Sequence, residues 1–160
     1  MAEARREDGM SGAKSSSKEM FEQALLLLNQ HKPAEALDLL KEATEEEPGN
    51  PWYRSYYGLC LARIKRFAEG EKHCQAAIGL HLCKAQFYIN MGEVYLLGGH
   101  KKLAHNMFAE ALKWEKENPL ARKFLKQMGH RRKPVVPFLD RDHPVNVSLG
   151  RIRHKLSPPK

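Results

Sequence analysis

The sequence predicts an all-α fold of stacked helix pairs, and two observations carry that reading. Small residues recur 34 positions apart in three separate columns: Ala24, Gly58 and Gly92; Ala36, Gly70 and Ala104; Ala43, Ala77 and Ala111. Bulky residues keep the same register, as Leu27, Leu61 and Tyr95 do, and Leu40, Cys74 and Phe108. A fixed period of this length marks a repeat array in which each unit buries its face on the next. Small columns let helix backbones approach closely, and bulky columns fill the space between them.

Each element has its local signal. Ser16-Ser17-Lys18-Glu19 has the spacing of a capping box, in which a Ser oxygen and a Glu carboxylate satisfy free N–H groups. The first helix is therefore expected to open there, leaving residues 1–16 as a flexible lead-in. Pro33 suits the first turn of the second helix, where no N–H is needed. Pro48-Gly49-Asn50-Pro51 breaks the chain before a helix containing Trp52 and Leu61, Phe67 opens its partner, and Gly98-Gly99 separates the helices of the third unit. After Asn118-Pro119, the spacing of Leu120, Phe124, Leu125 and Met128 reads as a further amphipathic helix ending at Gly129. Such a helix shields the last stacking face from water. The expected organisation is a repeat domain over 17–129, with repeats at about 17–50, 51–84 and 85–118 and a cap helix at 119–129, then an extension over 130–160.

Charge divides the chain in the same place. Lys and Arg number 27 against 19 Asp and Glu, for a net +8. The segment 130–160 holds 8 of the basic groups and only Asp140 and Asp142 on the acidic side, so the excess belongs to the tail. His130-Arg131-Arg132-Lys133 is followed by Pro134-Val135-Val136-Pro137-Phe138-Leu139, whose prolines forbid a regular helix. Asp142 and Pro144 then suit the start of a short helix over about 144–156. Val145, Leu149, Ile152 and Leu156 share one face of it, and Arg151, Arg153 and Lys155 lie off that stripe. Containing Gly150, it is marginal alone in water and is expected to form against a surface: its own solenoid, another protein, or an anionic surface.

The periodic residues resemble the tetratricopeptide repeat, a 34-residue helix-turn-helix unit. The second repeat shows it best, with Tyr57-Gly58 and Leu61 in its first helix, Phe67 opening its second and Ala77 near the end; the third follows with Met91-Gly92, Tyr95, Ala104, Phe108 and Ala111. Of the usual end-of-repeat proline only Pro48 is present, and Gln23 and Arg54 occupy positions that are commonly apolar. The resemblance implies a right-handed α-solenoid whose concave side, lined by the first helix of each pair, holds a ligand. Its face positions fall on Lys18, Phe21, Leu25, Leu28 and Asn29; on Trp52, Ser55, Leu59, Ala62 and Arg63; and on Gln86, Ile89, Glu93, Leu96 and Leu97. Nine of these fifteen are apolar, so the groove is expected to take an apolar-faced peptide. The residues singled out are Phe21, Leu25, Leu28, Trp52, Ser55, Leu59, Arg63, Ile89, Glu93 and Leu96. The family's clamp for a C-terminal Glu-Glu-Val-Asp chaperone tail falls on Phe21, Leu25, Tyr56, Gln86 and Asn90, and none keeps the family residue.

Catalytic chemistry has no motif to stand on. The sequence holds no Gly-rich phosphate loop, His-Glu-x-x-His or nucleophile elbow. His73-Cys74 with His81-x-Cys83 matches no standard metal spacing, and Cys74 lies in a packing column, so no metal and no cofactor is expected. Three cysteines without a Cys-x-x-Cys, no long apolar run and a charged opening lead to the expectation of a cytoplasmic chain with reduced thiols. The function implied is a non-enzymatic protein-interaction scaffold, either an adaptor or a small client-holding chaperone. The alternative is a binder of nucleic acid or acidic lipid through Arg131, Arg132, Lys133, Arg151, Arg153 and Lys155.

Overall fold

Prolines and turns set the helix starts, and the starts keep the period. In a computed structural model, α1 (Asp8–Asn29) and α2 (Pro33–Glu46) are followed by α3 (Pro51–Arg63) and α4 (Phe67–Gly79), then α5 (Ala85–Leu97) and α6 (Lys101–Trp114). Pro33, Phe67 and Lys101 open the second helix of each pair, 34 residues apart. Two more helices follow among the described residues, α7 (Pro119–Met128) and α8 (Pro144–Leu156). The structure describes residues 8–80, 84–129, 135–136, 138–139 and 143–156, without the side chains of 8–15 and 153–156. The chain divides into two compact units, residues 1–128 and 129–160. The predicted all-α solenoid of three helix pairs with a capping helix is the fold observed.

The turn inside each pair is made the same way three times. His31 and Lys65 have positive φ (59° and 71°), and Gly99, at the same register, has φ 82°. In the middle pair the Arg66 N–H donates to the Leu61 carbonyl (2.9 Å) and the Lys65 N–H to that of Ala62 (3.0 Å); Lys32 with Leu27 and His100 with Tyr95 repeat the longer bond. This is a Schellman closure, which satisfies the last carbonyls of a helix and requires a left-handed residue at its centre. Glycine adopts that conformation freely, whereas His31 and Lys65 hold it at a cost.

Between pairs, asparagine does the capping. Asn50 Oδ1 accepts from the Trp52 N–H (3.1 Å), and its Nδ2 donates to Glu47 Oε2. Asn118 repeats the arrangement, accepting from the Leu120 and Ala121 N–H groups and donating to Glu115. Both satisfy orphan donors at a helix start just before a proline. One expected cap is corrected. α1 already runs from Asp8, so Ser16 and Ser17 lie inside it; Ser17 is buried, with its hydroxyl on Glu46 of α2.

Each helix of the first unit packs on the next, and α3 also packs on α5. The small columns are contact points. A Cβ at Gly58 would lie 2.7 Å from both Cys74 Sγ and the Gly70 carbonyl oxygen, and one at Gly92 would lie 2.5 Å from the Phe108 ring. Ala24, Ala36, Ala43, Ala77, Ala104 and Ala111 are fully buried. α7 closes the stack by laying Phe124 flat on Phe108, centroids 4.6 Å apart, with Leu125 and Met128 against the same cluster. Its inner face is corrected by one residue: Ala121 is buried and Leu120 is exposed. The residue of α7 in register with Gly58 and Gly92 is Lys126, which is exposed.

Candidate binding groove

The groove predicted on α1, α3 and α5 divides into a closed floor and a part-exposed rim. Ser55, Leu59 and Ile89 are 0%, 2% and 0% exposed, and Leu28 and Ala62 are also buried. These four of the ten singled-out residues, Leu28, Ser55, Leu59 and Ile89, are thus corrected from ligand contacts to packing. The reason is geometric: a position facing the concave side of one helix also faces the neighbouring first helix, and α3 meets α5 directly. Phe21, Leu25, Trp52, Arg63, Glu93 and Leu96 retain accessible surface, and Leu97 is exposed.

Polar bridges join the first helices across this floor. Asn90 Nδ2 donates to Ser55 Oγ (3.0 Å) at zero exposure, and Gln86 Nε2 donates to Asn90 Oδ1 (2.8 Å). Buried amides and hydroxyls persist when paired like this, because an unpaired one costs about 1–3 kcal/mol. Arg63 on α3 forms an ion pair with Glu93 on α5 at 3.1 Å, and its other Nη reaches the Leu28 carbonyl of α1 at 3.5 Å. One guanidinium therefore touches all three first helices. Its charge is balanced, so the pair offers no free cation to an acidic ligand.

Aromatic rings build the rim. Phe21 meets Tyr53 at 5.0 Å and Tyr56 edge-on at 5.4 Å, while Trp52 stands edge-on to Phe87 at 4.9 Å. Burial, followed by the Glu93 charge and against that of Arg63, pushes the Tyr56 phenol up from its ordinary value. It is a neutral donor at any physiological pH. The resemblance placed Tyr56 and Asn90 only as clamp positions that lack the family residue, and the buried Tyr53 was not singled out. The signal for Asn90 was one polar residue on an apolar helix face, one period and one residue beyond Ser55.

The other sites examined in the sequence resolve simply. Cys60 and Cys74 are free thiols in the core; burial pushes Cys60 up to about 12 and Cys74 further in the same direction. His81 and Cys83 lie outside the described residues, and among the described residues no three His, Cys, Asp or Glu side chains are grouped to hold a metal. No helix among them is long and apolar enough to cross a membrane. Of the basic tail, Arg151 is exposed on α8; Arg131, Arg132 and Lys133, and the side chains of Arg153 and Lys155, lie outside the described residues, as does Asp142.

Residues 27–81 match the family model of the tetratricopeptide repeat. The search of the curated proteins finds no match to this chain. Among solved structures, the first such domain of human RPAP3 superposes with a TM-score of 0.63 at 22% identity, covering 71% of this chain and 89% of its own. The domain of Arabidopsis OM64 gives 0.63 at 20%, covering 72% and 96%. The second domain of human RPAP3, solved with the HSP70 peptide SGPTIEEVD, gives 0.61 at 17%, covering 74% and 99%.

Proposed function

We propose that this chain, which is a tetratricopeptide-repeat protein, is a non-enzymatic scaffold that holds an apolar-faced peptide or helix of a partner protein along α1, α3 and α5. The observation that carries the reading is the rim: Phe21, Leu25, Trp52, Tyr56 and Leu96 keep accessible surface above a floor that is already packed and hydrogen-bonded. A pre-formed floor lets apolar contacts at the rim act without a folding cost. The structural neighbour that carries SGPTIEEVD supports peptide holding as a use of this fold.

The ligand chemistry here differs from that peptide's. A Glu-Glu-Val-Asp terminus needs charge-assisted donors, and the corresponding positions here are Phe21, Leu25, Tyr56, Gln86 and Asn90. Asn90 is fully buried with its amide on Ser55, and Arg63 is paired with Glu93. The groove therefore suits an internal apolar segment, as an adaptor or a small client-holding chaperone requires.

Selection of linear peptides from a random display library on the full-length chain tests this. Recovered peptides are expected to be rich in apolar residues and to bind equally with a free or amidated C-terminus. Leu25→Glu with Leu97→Glu, neither of which packs against the buried core clusters, should abolish binding while helicity and Tm are kept. Retained binding in that variant, or preference for a free Glu-Glu-Val-Asp end, refutes the proposal. Leu59 and Ile89 are unsuitable for this test because charging a core position unfolds the domain.

A further inference from the structure

Among the described residues of the second unit, 129–160, are a polar clamp and several exposed apolar side chains. Asn146 on α8 is 5% exposed, and its side chain pairs with both backbone groups of one residue: Oδ1 accepts from the Val136 N–H (2.7 Å) and Nδ2 donates to the Val136 carbonyl (3.1 Å). The same Nδ2 also donates to the Leu139 carbonyl at 3.0 Å, and the Leu139 N–H returns to Val136. One side-chain amide thus holds Val136 and Leu139 against the start of α8. The result is unusual: Phe138, inside the clamped turn, is 86% exposed.

The helix adds to the same kind of surface. Val145 and Ile152 are 44% and 53% exposed, whereas Leu149 is half-buried. A clamped turn that leaves a phenylalanine in water, followed by a helix that leaves Val145 and Ile152 open, exposes apolar surface at a cost. The segment's charge indicates what would cover the face, since 130–160 carries eight Lys and Arg against two Asp. Phosphates alone would satisfy the cations and leave Phe138 and Ile152 in water. A protein pocket would satisfy the apolar groups but needs a matching shape. An anionic bilayer satisfies both, taking apolar side chains below the headgroups and cations among them, with no shape to match.

We propose that Phe138, in the turn held by Asn146, and Val145 and Ile152 of α8 enter the surface of an anionic phospholipid membrane, to which the net positive charge of segment 130–160 draws them. The proposal is independent of the groove on the first unit.

Co-sedimentation of the full-length chain with phosphatidylcholine vesicles, with and without phosphatidylserine, tests it. Binding is expected only to the phosphatidylserine vesicles and should fall steeply with added salt. Phe138→Ser with Ile152→Ser is expected to weaken it at least tenfold, and Phe138→Trp, in a chain with Trp52 and Trp114 replaced by Phe, to keep it and to give a blue-shifted emission in the presence of vesicles. Both positions are exposed, so the helicity of the variants should match the parent. Absence of binding to either vesicle overturns the proposal, as does equal binding to neutral ones or undiminished binding by the double variant. Tighter binding to a duplex oligonucleotide, unaffected by the double variant, also overturns it and assigns the tail to nucleic acid.

Discussion

Gly58→Ala measures how far the small columns set this fold. In an open helical site, replacing Gly by Ala stabilises by up to about 1 kcal/mol. Gly79, the last residue of α4, has nothing within 4 Å of an added Cβ, so Gly79→Ala is expected to be neutral or to raise Tm by about 2–4 °C. At Gly58 the same methyl would sit 2.7 Å from Cys74 Sγ, 2.7 Å from the Gly70 carbonyl oxygen and 3.0 Å from the Cys74 backbone nitrogen. Two of those three atoms are backbone, so relief requires α3 and α4 to separate along their length. Overpacking of this kind costs about 3 kcal/mol, and the propensity gain offsets about 1, leaving roughly 2 kcal/mol of destabilisation. For a domain of this size that lowers Tm by about 8 °C. A thiol reagent gives a second readout, with Cys83 replaced by Ser throughout. Cys74 lies at the α3–α4 contact and is buried with its thiol pushed up, so it reacts only when that contact opens, and Gly58→Ala should speed its modification about thirtyfold for the same 2 kcal/mol; Cys60, packed against α1 and α2, is replaced by Ser as well. A Gly58→Ala chain as stable as Gly79→Ala would show that the column is not a contact and would remove the packing argument.

Two further predictions follow from the turns and the titratable groups. Lys65→Gly should raise stability by about 0.5–1 kcal/mol in a denaturant titration, because the strain of a left-handed lysine exceeds the entropy a glycine adds to the unfolded chain; Gly99→Ala should lower it by about as much. The His73 imidazole is pulled below its usual 6.5, first by burial and then by the Arg54 and Lys72 charges, with Glu69 opposing. The unfolded chain therefore binds the proton more readily, so stability is unaffected above pH 6.5 and falls as pH drops from there towards the lowered value. Arg54→Leu should lessen that decline and also stabilise the fold at neutral pH, since Arg54 Nε is buried without an acceptor. Urea midpoints across pH 5–8 check both; a parent chain with a flat profile refutes the His73 argument.

The architecture was legible in the sequence because its cause is periodic. Wherever two backbones meet closely only Gly or Ala fits, and that demand recurs every repeat, so Gly58, Gly70 and Gly92 announce it. The left-handed turns recur just as strictly, yet only Gly99 looks like one, because His31 and Lys65 tolerate the conformation through their surrounding hydrogen bonds. The groove was half legible. The face positions carried over from the repeat resemblance put Arg63 and Glu93 on neighbouring first helices, where they form an ion pair. They did not separate rim from floor, because Leu59 and Ile89 differ from Leu25 and Leu96 in what the neighbouring helix covers and not in residue type. The Ser17 capping signal misled for a related reason: a serine that caps and a serine that bonds across helices look alike until Glu46 is placed beside it.

Lys126 acts as a full stop in a sentence that its own grammar would let run on. An array whose units are joined by interchangeable contacts has no inherent length, and any copy whose column is filled by glycine or alanine invites another. Lys126 stands where Gly58 and Gly92 stand in earlier copies, so a helix added after α7 would meet a long charged side chain at the point where the earlier pairs offer none.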